Sequence, residues 1–194
     1  TYLPVHENGM VRLDELEAAI RPDTCLVTIM FVNNEIGTVQ PIREIGKLCR
    51  ERGVLFHTDA VQAVGHVPVD VAADNIDMLS LAAHKFHGPK GVGALYCKKS
   101  IRLQNFIEGG AQERNKRGGT EAIPSILAMA AALKESCAHL EENMEKVSAM
   151  RDRLIEGLSE IPCSRCNGDP DHRAPGIVSF CFEGIEGESL LLRL

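Results

Sequence analysis

Apolar residues recur at Leu13, Leu16, Ala19 and Ile20, a helical period over a short span. Residues 25–31 (C-L-V-T-I-M-F) form a near-continuous apolar run and predict a strand buried on both faces. Pro41 suits a first helical turn, Ile42, Ile45, Leu48 and Cys49 mark an inward helical face, and Gly53 stops that helix. Apolar runs at 54–58, 77–82 and 93–97 predict further strands. Strand and helix in this rhythm predict an α/β fold, a mostly parallel sheet with helices on both faces.

After Thr120 the apolar positions step by threes and fours, through Met129, Leu133, Cys137, Leu140, Met144, Val147, Leu154 and Leu158. This pattern predicts one long helix, or two with a break near residues 141–144. It reads as the connection from a large domain (residues 1–141) to the start of a smaller α+β domain (142–194). Within the latter, residues 177–182 predict a strand bounded by Pro175-Gly176 and Glu183-Gly184. Residues 187–194 read as a helix that breaks off, and the first residues as the end of a strand. The expectation is a chain cut at both ends.

The bulk numbers narrow the classes. With 21 basic and 27 acidic residues the formal net charge is −6, and no basic stripe is interleaved with aromatics. Aromatics are 4% and Trp is absent, so neither duplex recognition nor a base-stacking platform fits. No apolar run approaches the roughly 20 residues of a membrane span. The seven cysteines are an odd number at scattered positions, which argues against a secreted disulfide framework and for a reducing compartment. Cys163 and Cys166 form a lone C-x-x-C. Without a second pair they read as ordinary thiols at a loop or strand edge rather than a metal or redox site.

The candidate chemistry lies between His57 and Gly93. Asp59 ends one apolar run, and His84-Lys85 ends another. Two parallel strands ending side by side would set a carboxylate and an amine at the carboxyl edge of a sheet, where open α/β folds bind ligands. A lysine beside a buried aspartate there suggests an aldehyde cofactor: the amine forms a Schiff base and the carboxylate holds a pyridinium nitrogen protonated. Each residue also has a plainer reading. Lys85 could be a solvated charge, Asp59 a helix N-cap, His84 a structural imidazole and Asn34 a turn residue. Residues 109–120 are glycine-rich and basic and lead into a predicted helix. Thr120 there suits an anion site, or a cap with Glu121 in the first turn.

Four motifs occur in order: V-N-N-E-I-G at 32–37, D-A-V-Q at 59–62, H-K-F-H-G-P-K-G-V-G at 84–93 and Q-E-R-N-K-R-G-G-T at 112–120. Together they resemble the pyridoxal-phosphate cysteine desulfurases of the NifS/IscS type, fold-type-I enzymes, along the whole chain. The resemblance implies a pyridoxal 5'-phosphate cofactor with Lys85 as Schiff base and proton carrier. It places Asp59 on the pyridine nitrogen, Gln62 on the phenolic oxygen and His84 at the phosphate. Asn34 would lie near the phenolic oxygen and the substrate carboxylate, and Thr120 would reach the phosphate of a partner subunit's cofactor. It further implies a homodimer that converts L-cysteine to L-alanine and passes persulfide sulfur to an iron–sulfur scaffold or another acceptor protein. The setting would be the cytoplasm or an organellar matrix. Against the family, the amino-terminal phosphate loop and the mobile loop with the catalytic cysteine are expected outside this chain. Ala82 stands where the family usually has a Ser or Thr that bonds the phosphate. The alternatives are a selenocysteine lyase or another class V relative, and a non-catalytic dimerisation or scaffold-binding module.

Overall fold

A computed structural model describes residues 1–194. Its main sheet has four strands in the order β1 (Leu26–Met30), β2 (Leu55–Asp59), β3 (Met78–Ala82) and β4 (Gly93–Cys97). β1, β2 and β3 run parallel, and β4 returns antiparallel to β3. The sheet is therefore mostly parallel, as the sequence predicts. Register fixes its rows. Thr28 lies beside His57, which lies beside Met78, and Met30 lies beside Asp59, which lies beside Ser80.

Helix α1 (Leu13–Ala19) buries Leu16. Helix α2 (Ile42–Arg52) buries Ile42, Ile45 and Cys49, and ends on Gly53 in the left-handed conformation only glycine adopts freely. Gly46 shares the buried face. A β-carbon there would overlap the carbonyl oxygen of Asp74, so the absent side chain lets α2 sit directly on the 70–76 turn. Val27, Ile29, Phe56, Leu79, Ala83 and Phe86 join these helical residues in one core.

The expectation of a strand buried on both faces does not hold for β1. Its residues alternate: Val27 and Ile29 are buried, whereas Leu26 and Met30 are exposed. The same open face carries exposed Leu55 and Leu95. Apolar composition marks a strand that could be covered on both sides, but only one side is covered by residues 1–194.

Beyond β4 a single turn (α3, Gln112–Asn115) has left-handed backbone at Glu113, Arg114 and Asn115. The long apolar repeat then forms two helices, α4 (Ile123–Ala138) and α5 (Leu140–Ser159), that break at His139, just ahead of the predicted position. A two-stranded antiparallel sheet follows, β5 (Ser164–Cys166) with β6 (Phe180–Phe182), and then α6 (Gly187–Leu191). The strand predicted over 177–182 is thus shorter. Its partner β5 has three residues, and after Asn167 that chain turns away through Gly168 at φ 85°. Cys163 precedes β5 and Cys166 ends it, the strand-edge placement expected.

The chain that leaves β5 docks on the loop after β1. Val39 N–H donates to His172 O (2.8 Å) and Ala174 N–H to Gly37 O (2.8 Å). Thr38 is fully buried; its hydroxyl donates to Asn8 O (2.5 Å) and accepts from Asp169 N–H (3.0 Å). Asn8 also donates to the Asp169 carboxylate (2.5 Å). Three segments far apart in sequence are thereby tied around one hydroxyl. No helix is long and apolar enough to cross a membrane.

Candidate active site at the carboxyl edge of the sheet

Because β1, β2 and β3 are parallel neighbours, the loops that follow them emerge at one edge. The loop after β1 carries Asn34, the end of β2 and its following turn carry Asp59 and Gln62, and the turn after β3 carries His84 and Lys85. The structure therefore brings five of the six predicted site residues to the same edge, while Thr120 lies elsewhere.

Asp59 closes β2, and its backbone oxygen accepts from Phe31 N–H (2.8 Å), which ties the ends of β1 and β2 together. Its side chain is exposed, not buried as the sequence suggests, because it projects from the open face of the sheet. Oδ1 accepts from Val61 N–H (3.0 Å), a turn contact rather than a helix cap because no helix follows β2, and no hydrogen bond engages Oδ2. Gln62 follows in the turn, half-buried.

Lys85 ends the 3-10 turn Ala83–Lys85, whose fold is fixed locally. Phe86 and Gly88 N–H both donate to Ala83 O, and Ala83 N–H donates to Val92 O at the start of β4. Gly88 must lack a side chain, since a β-carbon would stand 2.8 Å from that of Ala83. His87 takes left-handed backbone, φ 66°, to complete the turn. Lys85 is half-buried, and its amine has neither hydrogen bond nor ion pair. Its backbone carbonyl accepts from His66 Nε2 (2.6 Å), which sets that imidazole's tautomer with the proton on Nε2. His84 is exposed.

Asn34 stands exposed at the tip of its turn, but its neighbour builds the turn. Asn33 Oδ1 accepts from Glu35 N–H (2.9 Å) and Ile36 N–H (3.0 Å). Thr120 is exposed and does not cap a helix. Helix α4 starts at Ile123 after Ala122, with Pro124 in its first turn fixing the start there. The side chains of Asn105, Gln112, Arg117 and Glu121 bond only within their own loop. β4 leaves the sheet at the opposite edge, and α4 returns to the Lys85 turn through Ser136, whose hydroxyl donates to Phe86 O (3.4 Å), well beyond Thr120 along the chain.

Sequence reasoning passed over His66, nineteen residues from Lys85 with no pattern linking the two, and Asn33, hidden beside the motif asparagine. No cluster of three or more His, Cys, Asp or Glu is placed to hold a metal ion. A surface depression between α5 and the 166–173 segment holds Arg151 and Arg173, but both guanidinium groups already bond backbone carbonyls.

The edge offers an unpaired, half-buried amine, a carboxylate with one free oxygen, and an amide. That donor set fits an electrophilic carbonyl compound with a cationic ring. The Aminotransferase class-V profile matches residues 1–194. The chain belongs to this family. It is 55% identical over 194 residues to the cysteine desulfurase IscS of Methanosarcina thermophila, covering 100% of this chain and 48% of that protein. It is 46% identical over 196 residues to the mitochondrial cysteine desulfurase of Saccharomyces cerevisiae, covering 100% of this chain and 39% of that protein. Among solved structures, a NifS-like protein superposes with a TM-score of 0.94 at 36% identity, over 98% of this chain and 52% of the other. DndA from Streptomyces lividans superposes at 0.88 with 36% identity, over 98% and 54%. This class-V chain thus spans about half the length of the curated relatives it matches. Its mostly parallel sheet is that of the NifS-like, fold-type-I structures.

Proposed function

We propose that the protein containing this chain is a pyridoxal-phosphate-dependent cysteine desulfurase. The observation that carries the reading is the convergence of Lys85, Asp59 and Gln62 on one sheet edge, in a chain 55% identical along its whole length to a cysteine desulfurase. When bound, the cofactor supplies an electron sink for charge developing at the substrate's α-carbon. Lys85 would hold the cofactor's carbonyl carbon and then carry a proton to and from the substrate. Asp59, through its free Oδ2, would hold the ring nitrogen protonated, Gln62 would bond the phenolic oxygen, and Asn34 would lie near that oxygen and the substrate carboxylate. His84 would face the phosphate, and Thr120 would serve the phosphate of the second subunit of a homodimer. Ala82 leaves that phosphate one hydroxyl short of the family's usual set.

L-cysteine would lose its sulfur to a cysteine thiolate of the desulfurase, leaving L-alanine and a persulfide. The persulfide would go to an iron–sulfur scaffold or another acceptor protein, in the cytoplasm or an organellar matrix. Residues 1–141 would form part of the cofactor domain and 142–194 the start of the smaller one, with β5 and β6 its first sheet.

The test is borohydride reduction of the full-length protein incubated with pyridoxal phosphate. Wild type should retain a covalent cofactor on the peptide containing Lys85, and Lys85→Ala should retain none while melting at the same temperature. Label on another lysine would overturn the assignment.

A further inference from the structure

A row of polar groups crosses the open face of the sheet directly below Asp59. Thr28 Oγ1 lies 2.7 Å from His57 Nδ1, and His57 Nε2 lies 2.9 Å from Ser80 Oγ. One imidazole thus bridges β1 and β3 across β2. His57 is two residues before Asp59 on the same strand, so both project from the same face. Ser80 is also the register partner of Asp59. The row therefore locates Asp59 from two directions, along β2 and across from β3.

The bridge also has an electrical consequence. Two hydroxyl partners can each donate or accept, so they satisfy a neutral imidazole in either tautomer. A cationic imidazole is donor at both nitrogens and would stand beside the Asp59 carboxylate. Burial lowers the pKa of His57 from its ordinary value, against the pull of Asp59, which raises it. The neutral form leaves the Asp59 charge uncompensated within the chain.

We propose that His57 is a positioning residue for Asp59: a neutral bridge from Thr28 to Ser80 that holds the strand ends in register and leaves the Asp59 charge for a cationic ring. The inference rests on the cofactor reading above and adds a residue to it. In this reading His57 acts through Asp59 and Ser80.

The experiment uses the full-length protein with His57→Gln, His57→Phe, His57→Lys and Ser80→Ala. Three quantities are measured for each: the dissociation constant for pyridoxal phosphate, the pH midpoint of the bound cofactor's visible absorption band, and the melting temperature of the cofactor-free protein. His57→Gln keeps a donor and an acceptor and should bind within about threefold of wild type. His57→Phe and Ser80→Ala break the bridge and should each weaken binding about tenfold. His57→Lys adds a fixed cation beside Asp59; it should weaken binding further and shift the pH midpoint. Wild-type affinity and midpoint in His57→Lys and Ser80→Ala would overturn the proposal and leave the cofactor reading standing. Losses that merely track the melting temperature of the cofactor-free protein would also overturn it, since a packing role does that. If wild type takes up no cofactor on Lys85, the cofactor reading falls and this proposal falls with it. Ser80→Ala, a small-residue change, keeps the test decisive even if His57→Phe does not fold.

Discussion

Thr38→Val should unfasten a polar contact that spans 131 residues of sequence without changing the shape of the side chain. Valine replaces the hydroxyl by a methyl of similar size, so packing is retained and only the two hydrogen bonds are lost. Two groups are left behind: Asn8 C=O and the N–H of Asp169, a residue 7% exposed. An unsatisfied buried polar group costs about 1–3 kcal/mol. Asn8 is half-buried, so water recovers part of its share, and the sum is about 2–4 kcal/mol. Thr38→Ser keeps the hydroxyl and loses one methyl, about 1 kcal/mol. The predicted order of stability in urea unfolding is therefore wild type, Ser, then Val. Hydrogen exchange should localise the change, because the N–H groups of Val39 and Ala174 bond across the same docking contact and should exchange faster in the Val variant. A Val variant within about 0.5 kcal/mol of wild type would refute the reasoning. So would a Ser variant as weak as Val.

Gly46→Ala should destabilise by about 1–3 kcal/mol despite alanine's better helix propensity, because the new methyl meets backbone that cannot step aside; a thermal melt at or above wild type would contradict this. Cys49 is buried and its thiol is pushed up to about 11, whereas Cys181 is exposed and lowered by hydrogen bonds from Asn167 and Arg165. Iodoacetamide near neutral pH should label Cys181 early and Cys49 only on unfolding, and mass spectrometry of the peptides reads the order. Burial pushes the Asp169 carboxyl up, but the N–H groups of His172 and Asp171 and the His172 ring outweigh it, so its net pKa is lowered from 3.8. Its contribution to stability is then present above about pH 4 and is lost as pH falls through the folded value. The stability gap between wild type and Asp169→Asn should close as pH drops below about 4, and a gap constant down to about pH 2 would exclude the linkage.

Local pattern and tertiary cover were unequally legible in the sequence. The apolar run at 25–31 identified β1, but its two-sided burial depended on what lies over the sheet, which no property of those seven residues encodes. The placement of Asp59, His84 and Lys85 at one edge was legible because strand ends have a direction, and parallel strands put like ends together. Asp59 was expected buried and is exposed for the same reason as Leu26: both belong to the uncovered face. The plainer of the two readings of Thr120, a helix cap, came from residue type alone, while Pro124 sets the actual start three residues later at Ile123. His57 opened the stretch of candidate chemistry from the outset, yet the role proposed for it needed Thr28 and Ser80, each more than twenty residues away, and strand register is what joins them.

The docking of residues 167–174 also makes a mechanical linkage. Arg151, on α5, donates to the carbonyls of Arg173 and Ala174. Arg173 in turn donates to Ile36 O, and Ala174 N–H holds Gly37 O, within the turn that displays Asn34. The backbone link measures 2.8 Å and the three guanidinium links 3.2–3.3 Å, so the connection runs unbroken from helix to turn. A tilt of α5 relative to the sheet pulls on these bonds and so loads the Asn34 turn. The shape of that turn and the angle of α5 then behave as one coordinate, and whatever leans on the helix from outside also leans on the binding edge.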